Sequence, residues 1–169
     1  MAESNSSKRL ILGIDPGLNF TGYGLIQVTG RRLQTVEFGV IRSRREDDFF
    51  DKLHRIFDQM SDIARQFQPD EVAVENLFVS RNSTSALRLG HARAAAIVAV
   101  LNQNIDVSEY TPREVKKALT GNGAADKKQV QYMVQKLLAL PEPPLPLDAS
   151  DALAVAITHY QRASISSIK

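Results

Sequence analysis

The spacing of apolar residues changes along the chain and marks out its elements. "RLILGID", residues 9–15, is almost continuously apolar, the pattern of a strand buried on both faces. "TGYGLIQV" (21–28) and "LQTVEFGVI" (33–41) are β-rich and are joined by "TGRR", a glycine-containing turn of hairpin length. From Asp47 to Phe67 the apolar residues recur at three and four, which predicts an amphipathic helix stopped by Pro69. "DEVAVEN" (70–76) predicts a fourth strand and "LFVSRNSTS" (77–85) a loop. Asn82 or Ser83 then caps a helix through "ALRLGHARAAAIVAVLNQ" (86–103). That helix is apolar nearly all round after Ala94, so it is expected in a core or against another subunit. "DVSEY" (106–110) is a fifth strand, and Thr111-Pro112 opens a helix that ends at "GNGAA" (121–125). A helix over 126–140, a stiff "PEPPLP" linker and a last helix over 148–163 complete the chain.

A hairpin followed by alternating helices and strands predicts an α/β domain, a mixed sheet covered by helices. One domain over 9–163 is expected, with a disordered lead-in at 1–8 and a flexible tail at 164–169. The length of 169 residues, 43% apolar and 24% charged, suits a single core that needs no staples. The absence of cysteine excludes disulfides and thiolate metal sites and is compatible with a reducing compartment. "MAESNSSKR" lacks the apolar core of a secretory signal, and no run is long enough to span a membrane. His54, His91 and His159 have no zinc-ligand spacing. Net charge is only +2, but residues 76–136 hold nine Lys and Arg against four Asp and Glu. That excess suits an anionic partner, although solvated helix faces produce the same pattern.

The candidate chemistry lies in the acids. Asp15 ends an apolar strand and is followed at once by Pro16-Gly17. It either shapes the turn through its own hydrogen bonds or is presented by the strand to a site. The pattern repeats at Glu75, which also ends an apolar strand. Asp148 and Asp151, spaced i and i+3, project from one face at the start of the last helix, a face continued by Ala152 and Val155. Interaction with the helix dipole is the other use of acids there, but it needs no burial. Four acids gathered together repel one another and hold raised pKa values unless cations compensate them. All-oxygen ligands select a hard ion, Mg²⁺ or Mn²⁺. Two such ions, roughly 3.5–4 Å apart, stabilise the attacking and leaving oxygens of a phosphodiester displacement. No Ser–His or Cys–His arrangement competes, which favours activated water over a covalent intermediate.

"GIDPGLNFTGYG", "VAVENLFVSRN", "SALRLGHARAAAI", "PREVKKALTGNGAADKKQVQYMV" and "DASDALAVAITH" resemble, in order, the motifs of the RuvC family of bacterial Holliday-junction resolvases. The resemblance implies a ribonuclease-H-like fold, a five-stranded mixed sheet with strand two antiparallel, flanked by helices. It implies Asp15, Glu75, Asp148 and Asp151 as the catalytic metal ligands, with two Mg²⁺ during cleavage and Mn²⁺ able to substitute. Asp15 is then a ligand rather than a turn-former. It also implies a homodimer in the bacterial cytoplasm, making symmetric nicks in four-way junction DNA that leave 5′-phosphate and 3′-hydroxyl ends. The RuvA–RuvB branch-migration complex is a partner implied by the family alone.

By the same resemblance Phe78, which pattern alone would place in the core, is an aromatic wedge for unpaired bases at the junction centre. Arg81 beside it is a phosphate contact or a solvated charge. Lys116, Lys117, Lys127 and Lys128 flank a glycine-bearing loop, where helix N-terminal N–H groups would share a phosphate with lysines. Lys116 and Lys127 are, by similarity to the family, the pair nearest the cut strand. His159 reads as a satisfied packing histidine, and Gly90 with Ala92 to Ala96 as a close helix approach, within the core or between subunits. Two rivals are a junction-binding module without catalysis and an actin-like ATP-binding fold, suggested by "GIDPG". The second needs two lobes, which 169 residues do not hold.

Overall fold

A computed structural model describes residues 8–76, 82–141 and 145–166 of the chain. Strands β1 (Lys8–Asp15), β2 (Phe20–Thr29) and β3 (Arg32–Arg42) form an antiparallel meander. Strand β4 (Glu71–Glu75) pairs parallel with β1, and β5 (Val107–Tyr110) parallel with β4. The sheet order is therefore β3-β2-β1-β4-β5, a mixed sheet in which β2 is antiparallel to both neighbours. The helices are α1 (Phe49–Phe67), α2 (Ser83–Leu101), α3 (Pro112–Thr120), α4 (Lys127–Leu137) and α5 (Leu147–Ser166).

Side chains alternate across a strand, so each strand feeds two cores. Leu12, Ile14, Val72 and Val74 pack with Ile56 and Met60 of α1 and with Ala92, Ala96 and Val100 of α2. Ile11, Ile26, Val28 and Ala73 pack on the other face with α5, where α3 and α4 add Val115, Leu119, Val130 and Val134. The nearly all-apolar first strand is thus buried on both faces, as its pattern predicts.

Caps set the helix ends. Asp48 and Asp51 form a reciprocal capping box, so α1 begins at Phe49 rather than Asp47. Thr111 with Glu114, and Asp126 with Gln129, do the same for α3 and α4. Gly121, at φ 78°, ends α3 in the left-handed conformation. Helix α4 stops at Leu137, three residues short of the predicted end, and Ala139 then takes a positive φ. Helix α5 continues to Ser166, past the predicted start of the tail. The predicted lead-in, apart from Lys8, and residues 167–169 lie outside the described residues. Helix α2 buries Ala92, Ala96, Ala99 and Val100, while Leu87, Val98 and Leu101 are exposed.

Candidate active site

Gly13 of β1, Ala73 of β4 and Gly22 and Gly24 of β2 face α5. Two residues along on the same faces come Asp15 and Glu75, both at the ends of their strands. Helix α5 crosses this face with its first turn above them. It lies close because Gly13, Gly22 and Gly24 put no side chain beneath its first turns. A Cβ on Gly13 would sit 2.0 Å from the Ala152 carbonyl oxygen, and one on Gly22 only 1.9 Å from that of Asp148. Since Gly22 is the register partner of Asp15, the backbone of Asp148 rests beside that strand end. These glycines are functional in that sense, and the sequence reading missed them. Their signal is glycine at alternate positions in "TGYG", meaningful only once an opposing helix is known.

The turn after Asp15 is closed by another residue. Thr21 Oγ1 donates to the Gly17 carbonyl at 2.7 Å and accepts from the Gly17 N–H at 3.3 Å. The Asp15 carboxyl is instead hydrogen-bonded to Glu75. Its pKa is pushed up to about 8, by burial first and then by the charges of Glu75, Asp151 and Asp148. Burial, with the charge of Asp151, also raises Glu75, against the pull of Lys127 and Lys116. Burial raises Asp151, against the attraction of Lys127. Asp15, Glu75 and Asp151 therefore each feel at least one neighbouring acid, and Asp148 is among the charges acting on Asp15 and Asp151. Among the described residues, however, no three acidic or imidazole side chains close around a common point. An all-oxygen donor set whose carboxylates are partly buried and repel one another fits a hard divalent cation.

A cavity of about 200 Å³ opens on this edge, lined by Glu75, Asp151, Lys116 and Lys127 with Pro112 and Val115. The Lys127 ammonium lies 3.6 Å from Asp151. The structure thus divides the four predicted lysines. Lys117 lines a groove between α3 and α5 beside Glu114 and Arg162, and Lys128 one between α3 and α4 beside Tyr132. Phe78 and Arg81 lie outside the described residues.

His159, two turns beyond Asp151 on α5, is buried and fully engaged. Its Nδ1 lies 2.8 Å from the Tyr110 hydroxyl and its Nε2 2.5 Å from the Glu71 carboxylate. Arg9 approaches the same carboxylate at 3.1 Å. It is a packing residue with polar partners, as read from the sequence.

The family model for crossover junction endodeoxyribonuclease RuvC matches residues 11–159. The chain belongs to the RuvC family. Among RuvC relatives, that of Citrifermentans bemidjiense is 50% identical over 159 residues, covering 94% of this chain and 96% of its own. That of Shewanella oneidensis is 51% identical over 151 residues, covering 89% and 86%. The solved Thermus thermophilus RuvC in complex with a Holliday junction substrate superposes with a TM-score of 0.87 at 33% identity, covering 94% of this chain and 96% of that one. The fold is accordingly the ribonuclease-H-like fold of RuvC, with an open five-stranded sheet.

Proposed function

We propose that the chain is a metal-dependent endonuclease that resolves four-way DNA junctions by paired nicks. The observation that carries this reading is the gathering of Asp15, Glu75, Asp148 and Asp151 on one sheet edge, in a RuvC-family chain, with Lys116 and Lys127 lining the same cavity. The four carboxylates would hold Mg²⁺ or Mn²⁺, two ions during cleavage, which supply Lewis-acid stabilisation of phosphodiester hydrolysis. The chain's own residues do the rest. Strand ends and the glycine-seated helix hold the acids in place, while Lys116 and Lys127 draw the phosphate backbone toward them. Phe78 and Arg81 would engage the junction centre, and Lys117 and Lys128 more distant phosphates.

Symmetric nicking requires two such sites, and the exposed Leu87, Val98 and Leu101 of α2 support a homodimer. They lie on one helical stripe with Gly90, where an added Cβ would meet nothing within 4 Å. No described helix is long and apolar enough to cross a membrane. We place the enzyme in the bacterial cytoplasm beside RuvA and RuvB, with residues 9–163 as its one nuclease domain.

The test is cleavage of a synthetic mobile junction with Mg²⁺, beside a linear duplex of matching sequence and an EDTA control. Symmetric nicks confined to the junction and lost with EDTA are expected. Tight junction binding without cutting under Mg²⁺ or Mn²⁺ would instead make the chain a binding module.

A further inference from the structure

The site has a second flank that the acids and lysines do not explain. Phe20, the first residue of β2, shares its sheet face with Gly22 and Gly24, the face on which α5 lies. It stands one side-chain repeat beyond the pair Asp15–Gly22, about 7 Å along the strand, and one strand over, about 5 Å. It therefore sits in front of the first turn of α5, on the side opposite Lys116 and Lys127. The residue is 47% exposed, and the guanidinium of Arg42, its register partner on β3, lies 5.5 Å from the ring centroid.

A single exposed phenylalanine needs no explanation by itself. This one has fixed surroundings. Ser43 Oγ donates to the Leu18 carbonyl at 2.7 Å, and Ser43 N–H to that of Asn19 at 3.0 Å. Lys52 Nζ donates to Asn19 Oδ1 at 2.8 Å, and Thr21 closes the turn on Gly17. The ring is thus held open to solvent on a rigid backbone, with a cation against it, one nucleotide's reach from the catalytic carboxylates. Those features suit a nucleotide: an aromatic surface for base or sugar, and a positive charge for the adjoining phosphate.

We infer that Phe20 and Arg42 form a further contact for the cut DNA strand, receiving a nucleotide that flanks the scissile phosphate. The strand then crosses the sheet edge from Lys116 and Lys127 over the acids to β2 and β3. This inference rests on the junction-resolving reading above.

The chain has no tryptophan, so Phe20→Trp gives a single reporter. Its emission is expected to quench when a four-way junction is added in EDTA. Phe20→Ala should weaken junction binding about tenfold. Arg42→Gln should also weaken it and reduce the salt slope by about one. Unchanged Trp emission while a labelled junction shows full binding overturns the inference, as does unchanged affinity in Phe20→Ala. Either result leaves the resolvase reading standing. A wild-type chain that neither binds nor cuts the junction brings down both.

Discussion

Strand β4 carries a glutamate at each end, Glu71 and Glu75, both turned to the face that α5 covers. The chain treats them in opposite ways. Glu71 receives Arg9 at 3.1 Å and His159 at 2.5 Å, and Tyr110 completes the line through the other imidazole nitrogen. Glu75, four residues on, meets other acids: burial and the charge of Asp151 raise its pKa, against the hydrogen bond with Asp15 and the pull of Lys127 and Lys116. A protein that can satisfy one partly buried carboxylate this well does not leave its neighbour among like charges for stability's sake. The first glutamate is satisfied within the fold, and the second is the one proposed above to hold a cation.

The largest effect that tests this contrast is on catalysis. Asp15→Asn should lower junction cutting about a thousandfold or more, since Lewis-acid stabilisation contributes several kcal/mol. Junction binding should stay within a few-fold in a gel-shift or anisotropy titration. Normal cutting by this variant would remove Asp15 from the site.

The same residue makes a prediction about stability. Asp15 keeps its proton up to about pH 8 in the folded chain but loses it near 3.8 when unfolded. Folding therefore favours the protonated form. The Asp15 contribution to metal-free stability is full below about pH 4 and is lost as pH rises toward 8. Asp15→Asn should flatten that slope and raise the metal-free melting temperature at pH 8. Mg²⁺ should raise the melting temperature of the wild-type chain and leave that of the variant nearly unchanged. A wild-type chain whose metal-free stability is the same at pH 5 and pH 8 would contradict the electrostatic picture.

The contrast was half legible in the sequence. Asp15 and Glu75 stand out because a charge at the end of an apolar strand has no packing use, and Asp148 and Asp151 because i and i+3 share a helix face. Glu71 shows nothing of the kind, since its partners Arg9 and His159 are 62 and 88 residues away and meet it only through sheet register and the path of α5. The seating of α5 on Gly13 and Gly22 was hidden for the same reason. Lysines in adjacent pairs could not be sorted by spacing, because neighbouring residues on a helix point about 100° apart and only the packed helix says which faces the acids. For the apolar run of α2 the sequence leaves a core and another subunit equally open, because apolar periodicity does not distinguish the two; in the fold Ala92, Ala96, Ala99 and Val100 are buried.

A smaller effect of opposite sign sharpens the comparison on β4 itself. Glu71→Gln and Glu75→Gln are the same isosteric change at the two ends of one strand. Glu75→Gln should remove repulsion, raise metal-free stability and abolish cutting. Glu71→Gln should remove the ion pair with Arg9 and weaken the bond to His159, costing about 1–2 kcal/mol. That is a fall of a few degrees in melting temperature, with kcat unchanged. Loss of cutting in folded Glu71→Gln would mean that the two ends are not separate and that the His159 network sets the position of the acids.

The smallest effect concerns Lys127, the cation that most directly opposes the burial of Asp151. Its side chain is 73% exposed, so Lys127→Gln should leave thermal stability unchanged. Removing it has two separate consequences. A phosphate loses one counter-charge, so junction affinity falls a few-fold and the salt slope drops by about one. Asp151 also loses the attraction that holds its pKa down, so its carboxylate forms at higher pH. Because a metal ligand must be deprotonated to bind, the acidic limb of the Mg²⁺-dependent cutting profile should move to higher pH. A change in affinity with an unmoved limb would make Lys127 a phosphate contact alone. A moved limb would show that the same lysine both receives the DNA and prepares the acid beneath it.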